Sequence, residues 1–288
     1  MVGDMITRDG QIEWRGMLLG SGTAFGLDEL EGWLDLPSQD GSNQPLPDRH
    51  GAYPGRLLSE EREITFDFKT KAKPGEFRDA VHALRRATAP GEDPVEEPLA
   101  IRLDGQTLMC WARVTHRSIP TDKRYAIGYT EGAIRWVATD PRLYSAAEHT
   151  NATGLARASN DGLEFPLVFP LDFGEGTTGG VMYVENNGDV PTWPIFEVEG
   201  PCPGPVIQYS GRSLEFDSDL TVLQGQTLEI DTQPGNRTVE LEGVSRRPRM
   251  TSAQWTPLEP GERTGIRFDA ASYEEGARLR VRWRHAYQ

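Results

Sequence analysis

The sequence predicts a mainly β protein, with strands around one helix in its N-terminal half and strands alone in its C-terminal half. Three observations carry this. Apolar and polar residues alternate through most of the chain, which places every second side chain on a buried sheet face. The 31 glycines and 21 prolines among 288 residues supply many turns without reaching the level of a disordered chain. A single stretch shows apolar residues at helical spacing. At this length the chain makes two domains or one large β domain.

In chain order, Ile64, Phe66 and Phe68 share one strand face, with Thr65 and Asp67 on the other. A helix is expected between Pro74 and Thr88. Phe77, Ala80, Val81, Leu84 and Thr88 form its apolar face, opposite Glu76, Arg78, Asp79, Arg85 and Arg86. Pro74 suits the helix start, and the two arginines suit the negative end of the macrodipole. Pro90-Gly91 stops it, and the acidic stretch 92–98 reads as a solvated loop. The two-residue period returns at Leu108, Cys110, Ala112 and Val114, then at Tyr125, Ile127 and Tyr129, then at Ile134, Trp136 and Ala138. Residues 146–162 are small and polar and read as a connection. They divide the chain into domains 1–147 and 148–288. In the second domain, strands are expected near 181–185, 195–199, 213–216, 227–231, 238–242, 265–268 and 278–284, separated by Gly, Pro, Asn and Asp clusters. Regular short strands of this kind make a two-sheet sandwich or a jelly roll.

The formal charge is −14. Such a surface repels phosphate and anionic lipid, which argues against direct DNA recognition. It keeps the protein soluble, and it could also line a passage that DNA crosses without sticking. Cys110 and Cys202 show no CxxC spacing and are expected as reduced thiols. No apolar run approaches membrane-spanning length, so no membrane insertion is expected. The opening Met1-Val2-Gly3-Asp4 has no secretory pattern.

No catalytic, cofactor-binding or metal-binding residues emerge, and the chain is not expected to be an enzyme. The run from Gly174 to Gly179 matches GxGxxG, but the Val181–Val184 stretch that follows alternates like a strand, where phosphate binding needs a helix N-terminus. The five histidines show no local ligand spacing, and no GxSxG elbow exists. Asp217-Ser218-Asp219 offers a hard cation too few ligands and reads as a capped turn. Arg278, Arg280, Arg282 and Arg284 alternate with Leu279, Val281 and Trp283. The stripe has two readings. One is a solvent face or a charge-protected edge strand, and the other is a docking surface for an acidic neighbouring subunit. Trp193 and Trp255 lie on turns, where they either close one end of the sandwich or stack on sugar rings.

Several segments, in order, resemble the distal tail proteins of long, non-contractile-tailed bacteriophages. They are His50-Gly51-Ala52-Tyr53-Pro54-Gly55-Arg56 with Arg62-Glu63-Ile64-Thr65-Phe66; Trp136-Val137-Ala138-Thr139-Asp140-Pro141-Arg142-Leu143-Tyr144; Phe165-Pro166-Leu167; and the stretch from Asn186 to Pro201. Gly211-Arg212-Ser213-Leu214-Glu215-Phe216, Gly225-Gln226-Thr227-Leu228-Glu229-Ile230-Asp231 and Trp255-Thr256-Pro257-Leu258-Glu259-Pro260-Gly261-Glu262 follow. The resemblance implies an N-terminal split β-barrel belt domain with one packed helix, and a C-terminal galectin-like β-sandwich. It implies a virion structural protein at the distal end of the tail. Six belts would close into a homohexameric ring that joins the tail tube protein to the tail-tip or baseplate hub and lets DNA pass through its lumen. The competing expectation is a carbohydrate-binding sandwich, or an accessory to a carbohydrate-active enzyme, acting on a host-surface glycan.

Overall fold

The computed structural model describes residues 2–70, 72, 75–156 and 180–288. Pro74, the 165–167 segment and the GxGxxG run lie outside them. The chain divides into two compact units. One holds residues up to Ala147 together with Tyr287–Gln288, and the other holds Glu148–Ala286.

The first unit contains strands β1 (Gln11–Trp14), β2 (Met17–Gly20), β3 (Phe25–Glu31) and β4 (Arg62–Thr70). Helix α1 (Phe77–Ala87) follows, then β5 (Glu97–Leu103), β6 (Gln106–Ser118), β7 (Glu131–Ala138) and β8 (Leu143–Ser145). They pair antiparallel in the order β2-β1-β5-β6-β7-β4-β3, with β8 paired to β6. The long β6 serves two neighbours. Residues 106–112 pair with β5, and from Arg113 the strand runs beside β7, with a bulge between Val114 and His116 inside that ladder. Bulges re-aim a strand in this way.

Period-two burial of Ile64, Phe66 and Phe68 on β4 and of Ile134 and Trp136 on β7 supplies the core. Trp14 meets Trp136 edge-on with ring centroids 5.9 Å apart. Helix α1 buries Phe77, Val81 and Leu84, and the carbonyl of Ala87 at its end accepts from Trp14 Nε1 at 2.8 Å. At the chain's end, Tyr287 packs against this core, and Gln288 Nε2 donates to Ser59 Oγ at 2.6 Å.

Two expectations for this unit are overturned. The 125–129 alternation is a 3₁₀ turn at Tyr125–Ile127, with Ile127 78% exposed. The Asp122 carboxylate accepts from the backbone N–H groups of Arg124 and Tyr125, and such local bonding outcompetes a strand. The 92–98 loop gives way to β5 already at Glu97.

The second unit contains β9 (His149–Gly154), β10 (Val181–Glu185), β11 (Ile195–Glu199), β12 (Val206–Tyr209), β13 (Arg212–Phe216) and β14 (Thr227–Asp231). They are followed by β15 (Val239–Leu241), β16 (Val244–Ser245), β17 (Met250–Ala253), β18 (Arg263–Asp269) and β19 (Arg278–Trp283). Among the described residues two main sheets form, in the orders β9-β19-β11-β14-β15-β16 and β10-β18-β12-β13-β17, beside a short ladder of Cys202–Pro203 with Thr221–Val222. Their inner rows share one core. Phe196 of the first sheet and Tyr209 of the second stand 5.1 Å apart by ring centroid.

Within the expected 146–162 connection, of which residues 157–162 lie outside the described ones, His149–Gly154 form strand β9, which pairs along its whole length with β19. None of its side chains is buried, so the sequence carries no apolar alternation there. A polar edge strand of this kind resists pairing with foreign chains. Cys110 and Cys202 are free thiols, each buried in its own unit, and burial pushes the Cys110 thiol up to about 12.

Candidate interaction surfaces

Between β3 and β4 the chain leaves the main sheet as an arm. Gln39–Gly41 pairs with Leu57–Ser59, and Gln44–Pro45 pairs with Ala52–Tyr53, and neither ladder joins another sheet. None of residues 38–61 is buried. Tyr53, Leu57 and Leu58, with Leu34 and Leu36 at the arm's root, are each more than half exposed. Exposed apolar side chains of this kind make the arm a candidate interaction surface.

Arg62 fixes the root. It is 1% exposed. Its Nε donates to the Pro141 carbonyl at 2.7 Å, and its Nη1 donates to the carbonyls of Gly32 at 2.7 Å, Trp33 at 3.0 Å and Asp35 at 2.9 Å. A planar guanidinium suits several fixed acceptors better than an ammonium does. Burial lowers its pKa, and it stays protonated because the starting value is so high. Nothing in the sequence marked Arg62 as the shared donor to these four carbonyls.

The arginine stripe takes a definite place in the second unit. Strand β19 lies between β9 and β11 and is not an edge. Arg280 pairs with Glu197 at 3.3 Å and Glu199 at 2.8 Å. Arg282 pairs with Glu197 at 2.6 Å, Glu229 at 3.1 Å and Glu148 at 3.4 Å. The guanidiniums and carboxylates therefore form a ladder across one sheet face, where alternation in the sequence displayed only the positive partners. Arg284 sits just past the strand, half-buried, and burial lowers its pKa. Arg278 is exposed.

At the margin where β9 and β10 meet, His149, Tyr183, Val184, Glu185, Asn187, Arg263, Trp283 and His285 line an open cleft of about 310 Å³. Trp283 Nε1 donates to the Glu185 carbonyl at 2.9 Å. His149 and His285 stack with centroids 4.0 Å apart, and His149 also faces Trp283 at 5.7 Å. His285 Nδ1 accepts from the Asn187 N–H at 3.0 Å. Its pKa is lowered, by burial first and by His149 next. The Arg263 guanidinium lies over the Tyr183 ring, 4.3 Å from its centroid.

Beneath this cleft the buried Asn186 holds the turn. Its Nδ2 donates to the carbonyls of Val190 and Leu258, and its Oδ1 accepts from Gly188 and Ala286. A Cβ on Gly188 would fall 1.9 Å from the Ala286 carbonyl oxygen, so the turn needs glycine there. Of the turn tryptophans, Trp255 packs against the sandwich core, and Trp193 is half-buried. The Asp217 carboxylate caps its own turn at Asp219 N and pairs with Arg249. Among the described residues no group of three metal-ligating side chains converges, and no helix is long and apolar enough to cross a membrane.

No protein-family model and no curated protein matches the chain. Among solved structures it is similar to the Dit protein of phage SPP1, described as a paradigm of the hub adsorption apparatus in phages that infect Gram-positive bacteria. The two share 12% identity and a TM-score of 0.65, over 96% of this chain and 99% of that one. It is also similar to a chain of the phage P2 baseplate in its activated conformation with Ca, at 10% identity and a TM-score of 0.53, over 94% of this chain and 97% of that one. Both likenesses run nearly end to end and establish a shared fold.

Proposed function

We propose that this chain is a structural protein of a bacteriophage virion, a hub at the distal end of the tail, and not an enzyme. Residues 1–147 act as a split-barrel belt that closes with copies of itself into a homohexameric ring. Residues 148–288 form a galectin-like sandwich carried on that ring. The ring joins the tail tube protein to the tail-tip or baseplate hub, and DNA passes through its lumen.

The observation that carries this reading is the exposed arm. Residues 38–61 are ordered without burying a side chain of their own, and ordering backbone costs about 1–2 kcal/mol per residue. A neighbouring copy that covers Leu57 and Leu58 offsets part of that cost, and head-to-tail contacts of this type close into rings. The end-to-end likeness to hub and baseplate chains supports the same assignment. The net charge of −14 suits a passage from which DNA must slide freely.

Leu57→Ser combined with Leu58→Ser tests the reading. Both side chains are exposed, so the double variant should keep the parent's melting temperature while failing to form rings in size-exclusion chromatography with light scattering. Rings formed as readily as by the parent would remove the arm from the interface.

The arginine stripe is a second candidate contact, and Arg278 is the member to change because it is exposed. If the stripe docks a neighbour, Arg278→Glu leaves the fold intact and weakens ring assembly in the same assay. Undisturbed assembly would leave Arg280 and Arg282 as an internal ladder only.

A further inference from the structure

We propose that the cleft between the edge strands β9 and β10 is a saccharide-binding site, taking a neutral pyranose unit that presents adjacent hydroxyl groups. Every lining residue belongs to the second unit, so the site does not depend on ring formation. The cleft lies at the His149 and Glu185 ends of its strands, away from the Gly154 and Gly180 ends, which are joined by a backbone hydrogen bond.

Its size falls at the small end of the range for ligand pockets, about 300–1,000 Å³, which suits one sugar ring. Its walls combine the two components that sugar recognition needs. Tyr183 is 53% exposed and brings an aromatic side chain to the cleft beside the half-buried Trp283. Arg263, Glu185 and Asn187 are exposed and supply a forked donor, a paired acceptor and an amide with both functions. Adjacent hydroxyls donate and accept together, so they match such a set.

The geometry is prepared in advance. Trp283 is held through its indole N–H by the Glu185 carbonyl, and His285 through Nδ1 by Asn187. Arg263 rests on Tyr183, and Asn151 Nδ2 ties β9 to the Tyr183 carbonyl at 2.9 Å. These bonds fix the backbone of the cleft and its Trp283 and His285 walls, so the framework of the site needs little rearrangement on binding. The charges also favour a neutral ligand. Arg263 stands directly opposite Glu185 in the strand register, and His285 is held toward its neutral form by burial. An anion would meet Glu185.

Saturation-transfer NMR on the full chain tests this, with glucose, galactose, N-acetylglucosamine and rhamnose as separate probes and inorganic phosphate titrated as a control. The expected result is transfer from protein to the ring protons of at least one sugar. Tyr183→Ala should abolish that transfer, and Arg263→Lys should weaken binding at least fivefold, since the charge stays while the fork is lost. Both positions are exposed, and unchanged melting curves would certify the variants as folded. Transfer to none of the four sugars would overturn the proposal, as would transfer undiminished in Tyr183→Ala, or binding of phosphate alone. None of these results bears on whether the chain forms rings, and a sugar-binding monomer would leave this site standing while the hub reading fell.

Discussion

Replacing Trp136 with alanine lowers the stability of the first unit by about 3–5 kcal/mol, the range for emptying a large aromatic site in a core. Trp136 is fully buried. It sits on β7 opposite Ile64 of β4 on one side and Val114 of β6 on the other. Its ring meets Trp14 at 5.9 Å and Phe66 at 6.4 Å, so it joins three strands and the β1 hairpin at one point. The neighbours are aromatic rings on hydrogen-bonded strands, which collapse poorly into a void. Calorimetry should show the first unit's transition fall by roughly 10 °C, with the second unit's transition unmoved. A shift within error would mean that this ring is not a keystone of the core.

Arg62→Met has a comparable effect with a different consequence. Methionine fills much of the aliphatic volume and leaves the carbonyls of Gly32, Trp33, Asp35 and Pro141 without their shared donor. Hydrogen bonds to a charged group contribute about 1.5–3 kcal/mol each and are not additive, so a loss of about 3 kcal/mol or more is expected. The Gly32–Asp35 turn is the root of the arm, and losing its clamp should free residues 38–61. Limited proteolysis reads this directly. Cleavage within the arm should accelerate in Arg62→Met, and Arg62→Lys should behave nearly as badly because an ammonium cannot reach all four acceptors in one plane. Equal cleavage rates in parent and variants would show that the arm is held by something else.

Much of the fold was legible because burial on one face writes itself into alternation. Strands β4, β10, β11 and β14 carry it plainly, and helix α1 carries the helical equivalent. The hidden elements are those whose position follows from their neighbours. Strand β9 has no buried residue and is held by backbone bonds to β19. The turn at Tyr125 alternates by accident, and the Asp122 cap overrides it.

The surfaces were less legible than the fold, for a related reason. The arginines of β19 are regular in sequence, while the glutamates that pair with Arg280 and Arg282 lie on β11 and β14 and next to β9. The cleft draws on residues from His149 to His285, and no local spacing joins them. The apolar residues of the arm were visible, but nothing in the sequence distinguished an exposed Leu57 from a buried one. Arg62 looked like any polar strand residue until its four carbonyl partners converged on it.

The assembly state of the purified chain decides whether it is a ring-forming hub. Native mass spectrometry of the protein, with negative-stain images of the same sample, should give a closed ring of six copies with a central opening. A single copy at every concentration, with no ring even when tail-tube and baseplate partners are added, would mean that the chain is not a ring-forming hub.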